Sequence, residues 1–461
     1  MSRSLPRLVI AGTHSGSGKT SITLALTAAL KKRGLKVQTF KVGPDFLDPS
    51  YLALASGRPC YNLDGWMTSR GYVQDLFDRT TRDSDLAVIE GVMGLFDGAD
   101  PTNSESSTAE IAHWLKAPVV LVANVHGQAR SLAALVKGFN EFDPDIRLAG
   151  IIANQSGSAH HCQWLKASLE AASLPPLLGA VSRGTLPTLK SRHLGLVTAD
   201  RQTLSAETLD QLAEGLERQI PLDLVLSQAR SAPAWDGPAS AQEERAERPK
   251  ISLGYAYDQA FHFYYQDNLE VLKRGGAELI PFSMLEDSHL PGGLDGLYLG
   301  GGYPEEYAEE LSENEPMLQD IRTFAAQGKP IYAECGGLMV LTQGIETLEG
   351  KRYPLVGLLP VWSRMLPSLK ALGYVQVQLT EDTFWGAKGD VLRGHEFHYS
   401  ELQGDPRDQG DWQAIYKVTK RRRRDLTSEG FQSGSVLASY AHLHWASNTK
   451  VIQAMIKSCA K

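Results

Sequence analysis

Cys335 closes an apolar run, Pro330-Ile331-Tyr332-Ala333-Glu334, and is followed by Gly336-Gly337 and a helical pattern. A nucleophile held at a sharp strand-to-helix turn has this form. The glycines allow the tight turn, and the helix start aims backbone N–H groups and a positive dipole end at the sulfur. Thiolate is the attacking form, so the expectation is a lowered thiol pKa. Near the other end, the strand-like Leu8–Ala11 leads into Gly12-Thr13-His14-Ser15-Gly16-Ser17-Gly18-Lys19-Thr20 and then a helical pattern. Such glycines let backbone N–H groups close around phosphate oxygens, as for ATP. Lys19 would reach the terminal phosphates, and the Thr20 hydroxyl would sit on Mg²⁺. The general pattern wants glycine where Thr13 stands, with Gly12 one place early; Gly16, Gly18, Lys19 and Thr20 keep their register. A glycine-rich turn without a ligand is the plain alternative. One chain with an activated cysteine and a nucleotide loop suggests two coupled half-reactions.

A phosphate loop needs acids for its metal, and two segments offer them at strand ends, where α/β proteins bind ligands. One is Lys41-Val42-Gly43-Pro44-Asp45-Phe46-Leu47-Asp48-Pro49; the other runs from Val88 through Glu90 to Asp97-Gly98. Glu90, ending an apolar strand, reads as a metal-binding acid beside Thr20 and Asp45. Asp45 and Asp48 also suit turn capping around Pro44 and Pro49, and Asp97 suits a metal, a substrate or a turn. At the cysteine end, Gly300-Gly301-Gly302 follows an apolar strand. With Gly336, the backbone N–H groups of Gly301 and Gly302 are candidates for holding an oxyanion. A cysteine nucleophile needs a base, and spacing leaves His395, His398, His442 and His444 all eligible.

These motifs sit in an α/β rhythm. Apolar strands at Arg7–Ala11, Val37–Val42, Leu86–Ile89, Pro118–Ala123 and Leu148–Ala153 alternate with helical patterns, which predicts a parallel sheet covered on both faces. Residues 227–250, rich in Ala, Pro, Ser and charge, read as a linker. They would separate a domain over 1–226 from one over 251–461, where strands resume at Ile251–Tyr255 and a helix is expected over Phe263–Arg274. The basic run Lys420–Arg424 reads as a solvated loop or strand edge.

Composition bounds the function. The chain has 461 residues, room for two or three domains, with 42% hydrophobic and 21% charged residues, as in soluble globular proteins. A net charge of −7 argues against nucleic acid as a partner. The four cysteines, Cys60, Cys162, Cys335 and Cys459, lack the pairing of a disulfide framework or zinc site. No segment reads as a secretory signal or a membrane span, so the cytoplasm is expected and no membrane partner. Whether two copies form a homodimer is left open.

Taken together, "KVGPDFLDP", "EGVMGLFDG", "LGGGYPE", "ECGGLM" and "RGHEFHYS" resemble the cobyrinate a,c-diamide synthase family. There a dethiobiotin-synthetase-like P-loop domain accompanies a class I glutaminase domain of the cobyric-acid-synthase type. The resemblance implies ATP- and glutamine-dependent amidation of the a and c acetate carboxylates of cobyrinic acid, a corrinoid tetrapyrrole. It implies Mg²⁺ on the nucleotide, an acyl phosphate, and ammonia released from L-glutamine at Cys335. It places the base on His442, with His444 as runner-up. Ordinary class I glutaminases carry Glu two residues after that histidine; this chain has His444 there, so the third member of the triad is missing. The same chemistry on hydrogenobyrinate or nickel-sirohydrochlorin is an alternative, and cobyric acid synthase another. A partitioning-type P-loop ATPase is a different class, with no use for Cys335 in its turn.

Overall fold

A computed structural model describes residues 2–188, 191–192, 195–196, 204–238, 250–421 and 426–460. They fall into two compact units, Met1–Gln242 and Glu243–Lys461. The first holds the strands β1 (Arg7–Gly12), β2 (Val37–Val42), β3 (Tyr61–Leu63), β4 (Leu86–Glu90), β5 (Val119–Asn124), β6 (Leu148–Ser156) and β7 (Leu177–Ser182). They form one parallel sheet in the order β3-β2-β4-β1-β5-β6-β7. Every residue of β1, β2 and β4 is buried, which is why β1 and β4 read as near-continuous apolar runs, while β2 also buries Gln38, Thr39 and Lys41. Alternate side chains of β1 enter different cores: Val9 and Ala11 one, Leu8 and Ile10 the other. Because β2, β4 and β1 are neighbours, the turns that follow them converge at one edge of the sheet.

The sequence reading missed β3 and β7, which are short or carry few β-branched residues. It also began the linker too early. A helix spans Leu222–Arg230 and buries Leu222, Val225, Leu226 and Ala229, so Ser227–Arg230 belong to the first unit. Trp235 belongs there too: its backbone exchanges hydrogen bonds with Arg3. Its ring lies 5.2 Å from Phe77, and the Arg7 guanidinium sits 5.4 Å from its centroid. Residues 239–249 of the expected linker lie outside the described residues.

In the second unit, ten strands form a mixed sheet. Ala277–Phe282, Ile251–Ala256, Gly296–Leu299, Ile331–Glu334 and Val436–Ser439 are successive parallel neighbours. Leu426–Ser433, Gln413–Lys420, Ala371–Leu379, Val391–His398 and His442–His444 continue it antiparallel. Only two residues separate Val436–Ser439 from His442–His444, so the antiparallel half curls back to the strand from which it starts. That half was not expected. The helix expected over Phe263–Arg274 is instead a short strand, Phe261–Phe263, and a helix over Gln266–Gly275. Of the basic run, Lys420 ends a strand, and residues 422–425 lie outside the described residues. Among the described residues no helix is long and apolar enough to cross a membrane.

Replacing Trp235 by Ala should cost about 3–5 kcal/mol of stability, read as a lower urea midpoint for unfolding of the first unit in the full chain. An unchanged midpoint would put Trp235 outside that core.

Candidate active site

The phosphate loop joins β1 to a helix over Lys19–Lys32. Gly16 and Gly18 have φ of 81° and 96°, a region that suits glycine. At Gly18 a Cβ would also stand 2.0 Å from Asn154 Nδ2. The shifted glycine now has a reason. A Cβ on Gly12 would stand 2.4 Å from Ser17 Oγ, while Thr13 continues the strand by donating its N–H to Val122 O. Lys19 Nζ crosses the loop to Met93 O at 2.5 Å, tying it to the turn after β4. Burial first, then Lys41, lowers the Lys19 pKa.

Behind the loop lies a buried ionic cluster. Thr20 Oγ1 donates to Glu90 Oε1 at 2.7 Å and lies 3.4 Å from Asp48 Oδ2. Lys41 Nζ sits between the carboxylates, 2.6 Å from Asp48 and 2.9 Å from Glu90. Burial pushes the Glu90 pKa up to about 7. It opposes the Lys41 charge too, but Asp48 and Glu90 outweigh it and raise the Lys41 pKa. Asp48, not Asp45, is thus the acid beside Thr20 and Glu90. Asp45 Oδ1 accepts from the N–H groups of Leu47 and Asp48 at 2.7 and 3.3 Å, starting the helix Leu47–Ser56. Burial, then Asp48, pushes its pKa up to about 7. Asp97 accepts from Gly94 N at 2.9 Å and so caps a turn.

These residues fit a small hard cation. Glu90 Oε2 is buried without a hydrogen-bond partner, and the neighbouring groups that could ligate a cation, on Thr20 and Asp48, are oxygens. Among the described residues no three of His, Cys, Asp and Glu gather as a metal group, but Mg²⁺ commonly takes one or two carboxylates plus phosphates and water.

In the second unit Cys335 stands between the strand Ile331–Glu334 and a helix over Gly336–Leu341, at φ 48° and ψ −101°. Its N–H donates to Ser439 O at 2.7 Å, and Sγ lies 3.8 Å from Phe397 O. A Cβ on Gly336 would stand 3.1 Å from Gly302 N, and one on Gly337 would stand 2.2 Å from Leu299 O. Side chains are therefore excluded where the glycine loop meets the turn. Gly302, at φ 157°, leaves no room either: a Cβ would stand 1.9 Å from Ala260 O. A Cβ on Gly301 would meet the His442 ring at 2.3 Å, so that imidazole lies on the loop.

His442 and His395 are opposite one another in register, with rings 5.2 Å apart and nearly parallel. Burial holds the His442 pKa well below the usual range, with His395 and His398 adding to it. Burial thus favours the neutral imidazole. His444 packs its ring on Tyr265, 5.0 Å away. His398 stacks on Tyr440 and lines a cavity of about 340 Å³ with Glu396, Lys420 and Glu429. One expectation fails. Burial, then Glu305, pushes the Cys335 thiol pKa up rather than down, and the Gly336 N–H only partly opposes this. A short helix start cannot offset full burial beside carboxylates.

With this geometry in view, residues 8–196 match the CobQ/CobB/MinD/ParA nucleotide binding domain, and residues 252–450 the CobB/CobQ-like glutamine amidotransferase domain. A cobyrinate a,c-diamide synthase of Syntrophotalea carbinolica is 56% identical over 456 residues, covering 99% of both chains. One of Leptospira interrogans is 45% identical over 461 residues, covering 100% of both. One of Dehalococcoides mccartyi is 42% identical over 458 residues, covering 98% of both. The chain belongs to the cobyrinate a,c-diamide synthase family.

Sequence reasoning gave no role to Lys41, although it opens a quoted motif. The signal was there: a lysine flanked by Phe40 and Val42 inside a strand, Val37–Val42, must be buried and paired. Glu334, inside a buried strand next to Cys335, carried the same signal.

Lys41→Met should cost about 3–5 kcal/mol at pH 8, because it leaves two buried carboxylates without their cation. The loss should shrink at pH 6. The Glu90 pKa is already raised to about 7 and rises further without Lys41, so falling pH neutralises the stranded charge. Urea unfolding at both pH values checks this; equal losses would contradict the cluster.

Proposed function

We propose that the chain is a glutamine-hydrolysing carbon–nitrogen ligase of the cytoplasm. It converts the a and c acetate carboxylates of cobyrinic acid to amides with ATP and L-glutamine, in cobalamin biosynthesis. The observation that carries the reading is full-length similarity to cobyrinate a,c-diamide synthases, in a chain with separate phosphate-loop and cysteine sites. The first unit would be the synthetase and the second the glutaminase.

In the second unit, the Cys335 sulfur attacks the side-chain amide carbon of glutamine. Its proton passes to neutral His442 and then to the departing nitrogen, which leaves as ammonia. Backbone N–H groups of Gly302 and Gly336 hold the oxyanion, helped by Gly301. Water then releases glutamate from the thioester.

In the first unit, Gly16, Gly18 and Lys19 hold the ATP phosphates, and an acetate oxygen of the corrinoid attacks the γ-phosphorus, whose bond to the bridging oxygen breaks as ADP leaves. Ammonia displaces phosphate from the resulting acyl phosphate. Thr20, Asp48 and Glu90 would hold Mg²⁺, which neutralises phosphate charge when bound. Asp45 supports this set by starting the helix that carries Asp48, and Asp97 by shaping the turn that receives Lys19. His444 packs beside the base.

Mass spectrometry of cobyrinic acid incubated with ATP, amide-¹⁵N glutamine and the protein should find two labelled amides. Unchanged cobyrinic acid alongside amidated hydrogenobyrinate or nickel-sirohydrochlorin would move the reading to that pigment. Cys335→Ser should abolish glutamine-dependent amidation and keep the ammonia-dependent reaction; loss of both in a folded variant refutes the two-site reading. Lys19→Ala should lower both by about 10²-fold or more. Full ATP turnover in that variant would remove Lys19 from the nucleotide.

A further inference from the structure

The triad carboxylate expected two residues after His442 is replaced by His444, yet a buried carboxylate does reach this strand from elsewhere. Leu443 pairs with Gly394 along one edge of His442–His444. Its own N–H and C=O are taken up by two side chains that stand in for a neighbouring strand. Glu334 Oε1 accepts from Leu443 N at 3.0 Å. Asn268 Nδ2 donates to Leu443 O at 2.8 Å, and Asn268 Oδ1 accepts from Trp445 N at 2.9 Å.

Glu334 is firmly held for this task. It is 2% exposed and also accepts from Tyr332 Oη at 2.7 Å and Tyr298 Oη at 2.9 Å. Tyr332 is stacked on Trp385 at 4.2 Å. Glu334 is covalently next to Cys335, and Leu443 is covalently next to His442. One hydrogen bond therefore joins the residue before the sulfur to the residue after the imidazole.

We infer that Glu334 is a positioning residue that replaces the missing triad carboxylate, fixing His442 against Cys335 through the backbone N–H of Leu443 rather than through the ring. The inference rests on the glutaminase reading of Cys335 and His442. On this account the acceptor's reach matters more than its charge. Gln keeps an oxygen where Leu443 N–H needs it. Asp keeps the charge but withdraws the oxygen by about 1.5 Å, one carbon–carbon bond.

The test is the rate at which iodoacetamide, an amide small enough to mimic the end of glutamine, alkylates Cys335 in the full chain. The rate is followed by mass spectrometry of the Cys335 peptide, and an unchanged cooperative urea transition of the second unit reports that each variant is folded. His442→Ala should slow alkylation about tenfold through loss of the base; no change there would sink the glutaminase reading itself, separately from this inference. Glu334→Asp should slow alkylation about as much as His442→Ala, and glutaminase kcat should fall in step with little change in KM. Glu334→Gln should stay within about threefold of the unaltered chain, since the neutral acceptor retains most of the bond. Adding Glu334→Asp to His442→Ala should bring no further loss, because one acts through the other. The inference is overturned if Glu334→Asp alkylates at the unaltered rate, if Glu334→Gln is the slower of the two, or if Glu334→Asp slows the His442→Ala chain as much as it slows the unaltered one.

Discussion

The second unit is organised around a cysteine in a backbone conformation that non-glycine residues avoid. At φ 48° and ψ −101°, Cys335 carries strain on the order of 1–3 kcal/mol, and its surroundings must hold it there. Three backbone bonds do so: Cys335 N to Ser439 O, Gly337 N to Gly300 O, and Met339 N to Cys335 O. The first ties the turn to the strand that leads to His442. The second ties it to the glycine loop. Fixing the cysteine thereby fixes the other two parts of the site, and the glycines follow from crowding where these three segments meet.

The first unit faces a different constraint, the burial of charge. Lys41 and Glu90 lie in buried strands and Asp48 on the helix that follows β2, and an unpaired charge there would be prohibitive. Each is paired, and Thr20 supplies a further hydrogen bond. The cluster sits at the ends of β2 and β4, beside the loop after β1. Strand order alone therefore gathers the acids and the phosphate loop, although Thr20 and Glu90 are 70 residues apart.

What was legible in the sequence follows from these constraints. The phosphate loop, β1, β2, β4 and the cysteine turn were readable because each is a local pattern: an apolar run ending in glycines and a chemical group. The antiparallel half of the second sheet was not. Ala371–Leu379 alternates buried and partly exposed residues and contains Gly373 at φ 134°, so its apolar signal is weak and its pairing is long-range. The linker misled because composition cannot report Trp235, whose burial depends on Arg3, Arg7 and Phe77. The choice of His442 among four histidines rested on resemblance alone; its closeness to Gly301 is a property of the folded chain. Asp45 and Asp48 both read as turn or metal residues, and only the fold separates them: one bonds to the backbone, the other to Lys41.

The raised Cys335 pKa changes how the cysteine turn should be understood. A thiolate waiting in the resting site would be a buried anion near Glu305, Glu334 and Glu396, and burial disfavours it. An imidazolium at His442 would be equally disfavoured. Two neutral partners carry no such penalty. In the proposed reaction, proton transfer between them separates charge only briefly if the sulfur attacks at once, since the negative charge then moves to the amide oxygen, to which the glycine loop would offer backbone N–H groups. Burial therefore does not oppose the chemistry. It shifts the stabilisation from the free thiolate to the tetrahedral intermediate, the species that a site must favour to accelerate the reaction.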